Sequence, residues 1–272
     1  MFHVRKIESL DLPELQPYRT MRRPLEHREQ GIFVAEGEKV VRRLLESDFP
    51  VVSVLLPEKW LADYEPLLRA RPEKEISVFI TEKPFLEELV GFSMYQGVLG
   101  VGKIPPSCSL KEIFERSSTP RLFVAIDSLS NAENVGAVVR NCAAFHAQGL
   151  IVSETSSSPF LRRAVRNSMG TIFDLPVIES VNLVETLREL RSYDVRLIAA
   201  HPHVSGRTLS QADFTGDACL IFGSEGAGIA PAVLELVDDA VAIPMPPKVD
   251  SLNVGAAAAV FLYEANRQRG QT

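Results

Sequence analysis

The sequence predicts an α/β protein in two parts, with a parallel-sheet domain in the C-terminal half and a smaller α/β domain before it. Three observations predict this. Apolar, β-branched runs of strand length alternate with segments of helical periodicity along most of the chain, the pattern of a mostly parallel sheet covered on both faces. The alternation breaks at IPPSCS, residues 104–109, because adjacent prolines can neither continue a strand nor begin mid-helix. After the break, RLFVAID at 121–127 is almost wholly apolar, as a strand buried on both faces must be.

In the first part, EGEKVVRRLLES at 36–47 places Val40, Val41, Leu44 and Leu45 on one helical face. VVSVLL at 51–56 and ISVFI at 76–80 are strands, WLADYEPLLRA and EKPFLEELV are helices, and QGVLGVGKI at 96–104 closes the unit as a strand. In the second part a helix over about 134–148 follows the 121–127 strand. GLIVS, VRLIAAH, ACLIFG and AVAIPM supply further strands, and SPFLRRAVRNS and VETLRELRSYD supply helices. A helix from about 253 to 267 ends the chain. The resulting division is an N-terminal extension (1–30), an α/β domain (31–104), a linker with a lead-in helix (105–119) and the main domain (120–272).

The 272 residues are 46% apolar and 24% charged, enough for a sizeable core. Cys108, Cys142 and Cys219 are far apart and form no C-x-x-C pair, which argues against a disulfide framework or zinc module and for a reducing compartment. No apolar run reaches the roughly 18 residues of a membrane span, and the N-terminus lacks a signal-peptide core. A cytoplasmic location is expected. The net charge of −6 does not advertise a polyanion partner. Both parts share the deficit, with 15 Lys/Arg against 17 Asp/Glu up to residue 108 and 14 against 18 after it. Two clusters run the other way: RTMRRPLEHR at 19–28, with Arg22, Arg23 and Arg28, and RRAVR at 162–166, with Arg162, Arg163 and Arg166. If RNA is the partner, these arginines should meet its phosphates; otherwise they are solvated faces or ion pairs.

Ligands of open parallel sheets bind at the carboxyl ends of the strands, and three loops in that position carry unusual residues. NAENVG follows the 121–127 strand, GSEGAG the strand ending at 223, and PPKVDSLN the strand ending at 245. Asn134 stands where an N-cap belongs. Arg140 follows nearly two turns later, with Gly136, Ala137, Ala143 and Ala144 as its small helical neighbours. The glycines of GSEGAG suit a tight turn or a close approach to a ligand, whereas Glu225 at its tip has no purpose in a plain turn. Asp250 and Ser251 can cap the last helix, whose alanines and glycine allow close packing. His201 and His203 flank a proline with no third ligand nearby, which fits a turn better than a metal site; no metal is expected.

Taken together, N-x-G-A-x-x-R at 134–140, F-G-S-E-G-x-G at 222–228 and I-P-M…S-L-N-V at 243–254 resemble the three ordered motifs of the SpoU (TrmH-like) family of RNA ribose methyltransferases, of the SPOUT superfamily. F-V-A-E-G at 33–37, Q-G-V at 96–98 and R-N-S-M-G-T-I-F-D-L-P-V at 166–177 support the match, which spans roughly 31–267. The resemblance implies an L30e-like RNA substrate-binding domain over 31–104, then a methyltransferase domain with a deep C-terminal trefoil knot, a feature otherwise nearly absent from proteins. It also implies a homodimer through the knotted domain and S-adenosyl-L-methionine as donor. The implied reaction is methylation of a ribose 2′-hydroxyl in structured RNA, rRNA being favoured over tRNA. By matching position, Gly223, Ile243 and Leu252 would hold the cofactor, joined by His201 and Met245. Asn134, Arg140, Glu225, Ser251 and Asn253 would form the catalytic polar set.

The family pattern has been taken to make the motif-1 arginine a base, yet a guanidinium group holds its proton too firmly for that task. A ligand for phosphate or for the 2′-oxygen suits Arg140 better. Two positions depart from the pattern, Ala132 for a proline and Gly255 for a serine; neither removes a polar side chain of the set. A catalytically silent RNA-binding relative would be expected to have lost part of that set. A nucleotide enzyme using GSEGAG as a phosphate loop would need a Lys-Ser/Thr pair after the glycines, which is missing.

Overall fold

The computed structural model describes residues 1–9, 11–94, 97–202 and 207–270. Gln96 of the Q-G-V motif and His203 lie outside the described residues. By contact the chain forms two compact units, Met1–Pro106 with Phe160–Phe173, and Ser107–Pro159 with Asp174–Thr272. Among the described residues no helix is long and apolar enough to cross a membrane.

The first unit contains strands β1 (Phe2–Lys6), β2 (Ile32–Glu36), β3 (Val51–Leu56), β4 (Ile76–Ile80) and β5 (Leu99–Lys103) in the order β1-β4-β3-β5-β2. β1, β4 and β3 are parallel, while β5 runs antiparallel to both β3 and β2. The helix Glu38–Glu46 buries Val40, Val41, Leu44 and Leu45, the face read from its periodicity. Residues 1–30, set apart in the sequence as an extension, are built into this unit. β1 extends the sheet beside β4, and Leu15 and Tyr18 are fully buried, the Tyr18 hydroxyl lying 2.8 Å from Ser53 Oγ. The segment Phe160–Phe173, expected in the second domain, belongs by contact to this unit as well. Its Phe160 and Phe173 pack with Phe33 and Phe49, ring centroids 5.3 to 6.1 Å apart. Gly102 makes room for that cluster, since a Cβ there would lie 2.5 Å from the Phe33 ring.

The second unit holds β6 (Leu122–Asp127), β7 (Gly149–Val152), β8 (Val177–Glu179), β9 (Arg196–Ala200), β10 (Arg207–Thr208), β11 (Ala218–Gly223) and β12 (Asp239–Ala242). Their order is β10-β12-β9-β11-β6-β7-β8, and every pairing is parallel. Alternate residues of these strands face opposite sides. Phe123, Ala125, Leu197, Ala199, Cys219 and Ile221 share a core with the helices Leu110–Arg116 and Leu183–Ser192. The helices Ala132–Ala144 and Val254–Gln268 cover the other face, where Phe222 meets Phe261 edge to face at 5.6 Å. A sheet wrapped on both sides needs apolar strands throughout, which is why these runs were so legible.

Candidate active site

Two expected helix caps are corrected by the structure. Asn131, not Asn134, caps the helix Ala132–Ala144, its Oδ1 accepting the Glu133 N–H at 2.8 Å. The helix therefore starts one residue after Asn131, and the Asn134 side chain is released from capping. Likewise Asn253, rather than Asp250 or Ser251, caps Val254–Gln268, accepting the Gly255 N–H at 3.0 Å. The first helix also ends earlier than expected, at Ala144, with His146 in the left-handed region at φ 55°.

Asn134, Glu225 and Asn253, from the three loops, form a closed polar triangle. Asn134 Nδ2 donates to Glu225 Oε1 at 2.9 Å, and Asn253 Nδ2 donates both to the same oxygen at 2.7 Å and to Asn134 Oδ1 at 3.0 Å. Residues 91 and 119 positions apart are thereby joined by neutral amides around one exposed carboxylate. Glu225 is held at the tip of a loop closed by the Ser224–Gly228 pair, with reciprocal N–H to O bonds of 3.0 and 2.9 Å. That closure requires a glycine at 223, where a Cβ would stand 2.2 Å from the Gly228 carbonyl carbon.

Behind the triangle, at the carboxyl ends of β9, β11 and β12, is a cavity of about 320 Å³. Gly223, Ile243, Leu252, His201 and Met245, the residues expected to hold a cofactor, all line it, as do Glu225 and Ser251. Phe222, Val241 and Val254 add apolar wall, and Asp250 a second carboxylate. The volume lies at the lower end of the range for small-molecule sites, roughly 300–1,000 Å³.

Arg140 is not part of the triangle. At 3.6 residues per turn it points about 120° around the helix from Asn134, whereas Ala137 and Asn141 roughly share the Asn134 side. Asn141 Nδ2 donates to Gly255 O at 2.6 Å, and a Cβ on Gly255 would lie 2.8 Å from Ala137 Cβ. Ala137 and Asn141 thus serve the contact of this helix with Val254–Gln268. Arg140 itself is exposed and, among the described residues, makes no hydrogen bond or ion pair.

The six arginines of the basic clusters differ in what they are free to do. Arg162 and Arg166 both pair with Glu36, the latter at 2.7 Å, their side chains 12% and 60% exposed. Arg22 and Arg162 lie over the Phe92 ring at 5.1 and 5.2 Å, and Arg22 also donates to Gly91 O. Arg23 pairs with Glu26 at 3.0 Å. Arg28 and Arg163 are exposed. Asn131, Asn141, Glu36 and Phe92 were missed in the sequence. Asn131 carried a signal, a good capping residue within Ser130-Asn131-Ala132-Glu133-Asn134 at a helix start, and Glu36 another, its place in the F-V-A-E-G motif.

Fold and site together describe a class of protein: an α/β domain with a cavity at the carboxyl ends of a parallel sheet, beside a polar cluster built around an exposed carboxylate. The chain belongs to the SpoU rRNA Methylase family, which it matches over residues 121–263. It is 30% identical over 255 residues to an uncharacterized tRNA/rRNA methyltransferase of Mycobacterium avium, covering 91% of this chain and 81% of that protein. Its fold is similar to that of the SpoU methyltransferase AviRb from Streptomyces viridochromogenes in complex with the cofactor AdoMet. The TM-score is 0.80 at 26% identity, over 95% of this chain and 98% of AviRb. It is similar also to an RNA 2′-O ribose methyltransferase, with TM-score 0.79, 25% identity and 99% of each chain covered.

Proposed function

We propose that this protein transfers a methyl group from S-adenosyl-L-methionine to a ribose 2′-hydroxyl of structured RNA, with rRNA favoured over tRNA. The observation that carries the reading is the cavity of His201, Gly223, Ile243, Met245 and Leu252 opening beside the Asn134–Glu225–Asn253 triangle. The cavity fits the cofactor chemically. Phe222, Val241, Ile243 and Leu252 offer an apolar seat for an adenine ring, and Glu225 and Asp250 offer negative charge to a cationic ligand. Gly223 lets the Gly228–Ile229 backbone pass close by, where a Cβ would stand 2.2 Å from it, and so lets the loop close as the cavity wall. Bound there, the cofactor supplies an electrophilic sulfonium methyl.

The chain's own residues then have the tasks of orienting the ribose and excluding water. Asn134 and Asn253 hold Glu225, which keeps its second oxygen free to accept a ribose hydroxyl. Ser251 closes the cavity rim. The proton released from the 2′-hydroxyl passes to water or to a neighbouring RNA phosphate. Arg140, exposed on its helix, is a ligand for phosphate or for the 2′-oxygen rather than the base, because a guanidinium group holds its own proton too firmly. Arg22, Arg23, Arg28, Arg163 and Arg166 meet the RNA backbone; Arg162, mostly buried against Glu36 and Phe92, supports them.

A homodimer through the catalytic unit and a trefoil knot at its C-terminal end belong to the same reading. Val260 and Tyr263 expose apolar surface on Val254–Gln268, and β11 is inserted between β6 and β9 while that last helix returns to the Ala132–Ala144 helix. Three free thiols accord with a cytoplasmic location.

The test is transfer of labelled methyl from S-adenosyl-L-methionine to rRNA and tRNA in vitro, with mapping of 2′-O-methylation in cells with and without the gene. Loss of one ribose methyl in the deleted strain is expected. If no ribose methyl disappears and no transfer occurs in vitro, the reading fails. A pH–rate profile of Arg140→Lys checks the role of Arg140: no new titration in the lysine range is expected, and its appearance would identify a base.

A further inference from the structure

We propose that Asp127 is a positioning residue that ties both ends of the Gly223–Ala230 loop, and so sets the cavity wall and the place of Glu225. The inference rests on the reading of the cavity as the S-adenosyl-L-methionine site.

Asp127 is the last residue of β6 and is 4% exposed. Among the described residues it forms no ion pair. Its Oδ2 accepts the Ala230 N–H at 2.7 Å and its Oδ1 accepts the Ser128 hydroxyl at 3.1 Å. In the sheet register Asp127 lies opposite Gly223. The loop therefore leaves β11 beside Asp127 and is hydrogen-bonded to the same residue on its return at Ala230. Between these points the loop folds on itself through the Ser224–Gly228 pair and the Ala227 N–H to Ser224 Oγ bond at 3.1 Å.

A buried carboxylate with no cation beside it is unfavourable for the fold, and an apolar residue would end β6 at lower cost. What the carboxylate supplies is an acceptor for the Ala230 N–H. Without it the Ala230 N–H has no acceptor and the loop end is held to the sheet by the buried Ile229 side chain alone, which allows it to shift from β6. The wall residues Gly223 to Ile229 then lose their register against Ile243 and Leu252 across the cavity, and Glu225 moves away from Asn134 and Asn253. Asp127 does not line the cavity, so it acts through the loop alone.

The experiment compares the wild type with Asp127→Ala and Asp127→Asn as full chains, by titration with S-adenosyl-L-methionine, KM and kcat for cofactor and RNA, RNA affinity without cofactor, and ligand-free melting. Asp127→Ala should weaken cofactor binding by at least about tenfold, the cost of one unsatisfied buried donor, and raise the cofactor KM more than the RNA KM. Its RNA affinity without cofactor should equal that of the wild type. Asp127→Asn keeps an acceptor oxygen and should bind the cofactor within about threefold of wild type.

Unchanged cofactor affinity in Asp127→Ala, or an equal defect in both variants, overturns the inference. Should Asp127→Ala melt below the assay temperature, Ala230→Pro removes the donor instead, at a φ of −59° that proline accepts. It is expected to weaken cofactor binding to the same degree, and wild-type affinity there overturns the inference equally. A wild type that ignores S-adenosyl-L-methionine fails the reading of the cavity itself, and this inference with it.

Discussion

Glu36 and Glu225 are each held by two side chains, in opposite ways. Glu36 ends β2, is 5% exposed, and is gripped by two guanidinium groups next to a cluster of four phenylalanines. Glu225 is exposed at a loop tip and is gripped by two neutral amides. Arginine partners cancel the charge of a buried carboxylate and make it part of the framework. Amide partners fix a carboxylate's direction but leave its charge and its second oxygen for another molecule. Glu36 is thus a carboxylate that shapes the protein, and Glu225 is the one proposed to meet the substrate.

The largest effect is expected from Gly223→Ala, which places a methyl group on the Gly228 backbone and forces the Glu225 loop off its position. Cofactor binding measured by calorimetry and methyl transfer should both be lost. Retained binding would show that the cavity is not the cofactor site. Glu225→Gln comes next. It should reduce methyl transfer by about 10²-fold or more while the melting temperature stays near wild type, since exposed sites change stability by only about 0.5 kcal/mol.

Glu36→Ala should show the reverse pattern. Leaving two arginines without their partner costs about 3 kcal/mol, at the low end for a broken buried pair because Arg166 is largely solvated. The melting temperature should fall by several degrees, with activity per folded molecule retained; a loss of kcat at full stability would break the comparison. The smallest effect belongs to Arg166→Ala. Its stability cost is below about 1 kcal/mol, but the salt dependence of RNA binding should drop by about one phosphate contact. An unchanged salt slope would remove Arg166 from the RNA surface.

Much of the second sheet was legible because a doubly covered parallel sheet demands uninterrupted apolar strands, as at 121–127 and 218–222. Glu225, and Asn253 in its Ser-Leu-Asn run, stood out against glycine and alanine, whereas Asn134, read locally as a helix cap, entered the polar set only through its match to the family motif. The caps were not. Asn131 and Asn134, or Ser251 and Asn253, are equally able to cap, and which one does depends on where packing starts the helix. The partnership of Glu36 with Arg162 and Arg166 spans 126 and 130 residues. No local pattern records a pairing across such a distance. The F-V-A-E-G and R-N-S-M-G segments therefore looked like separate motifs, although the structure brings them together.

The sequence by itself determined the α/β class, the break near 104–109, the three loops and the residue types able to act in them. These follow from local rules of periodicity, turn chemistry and burial. Only the tertiary structure decided that Asn134 and Asn253 share one oxygen of Glu225, that Arg140 faces elsewhere, and that Asp127 anchors Ala230. The reason is physical: hydrogen bonds are directional over about 3 Å. Whether two suitable side chains meet is settled by strand order and helix rotation, which are properties of the packed chain.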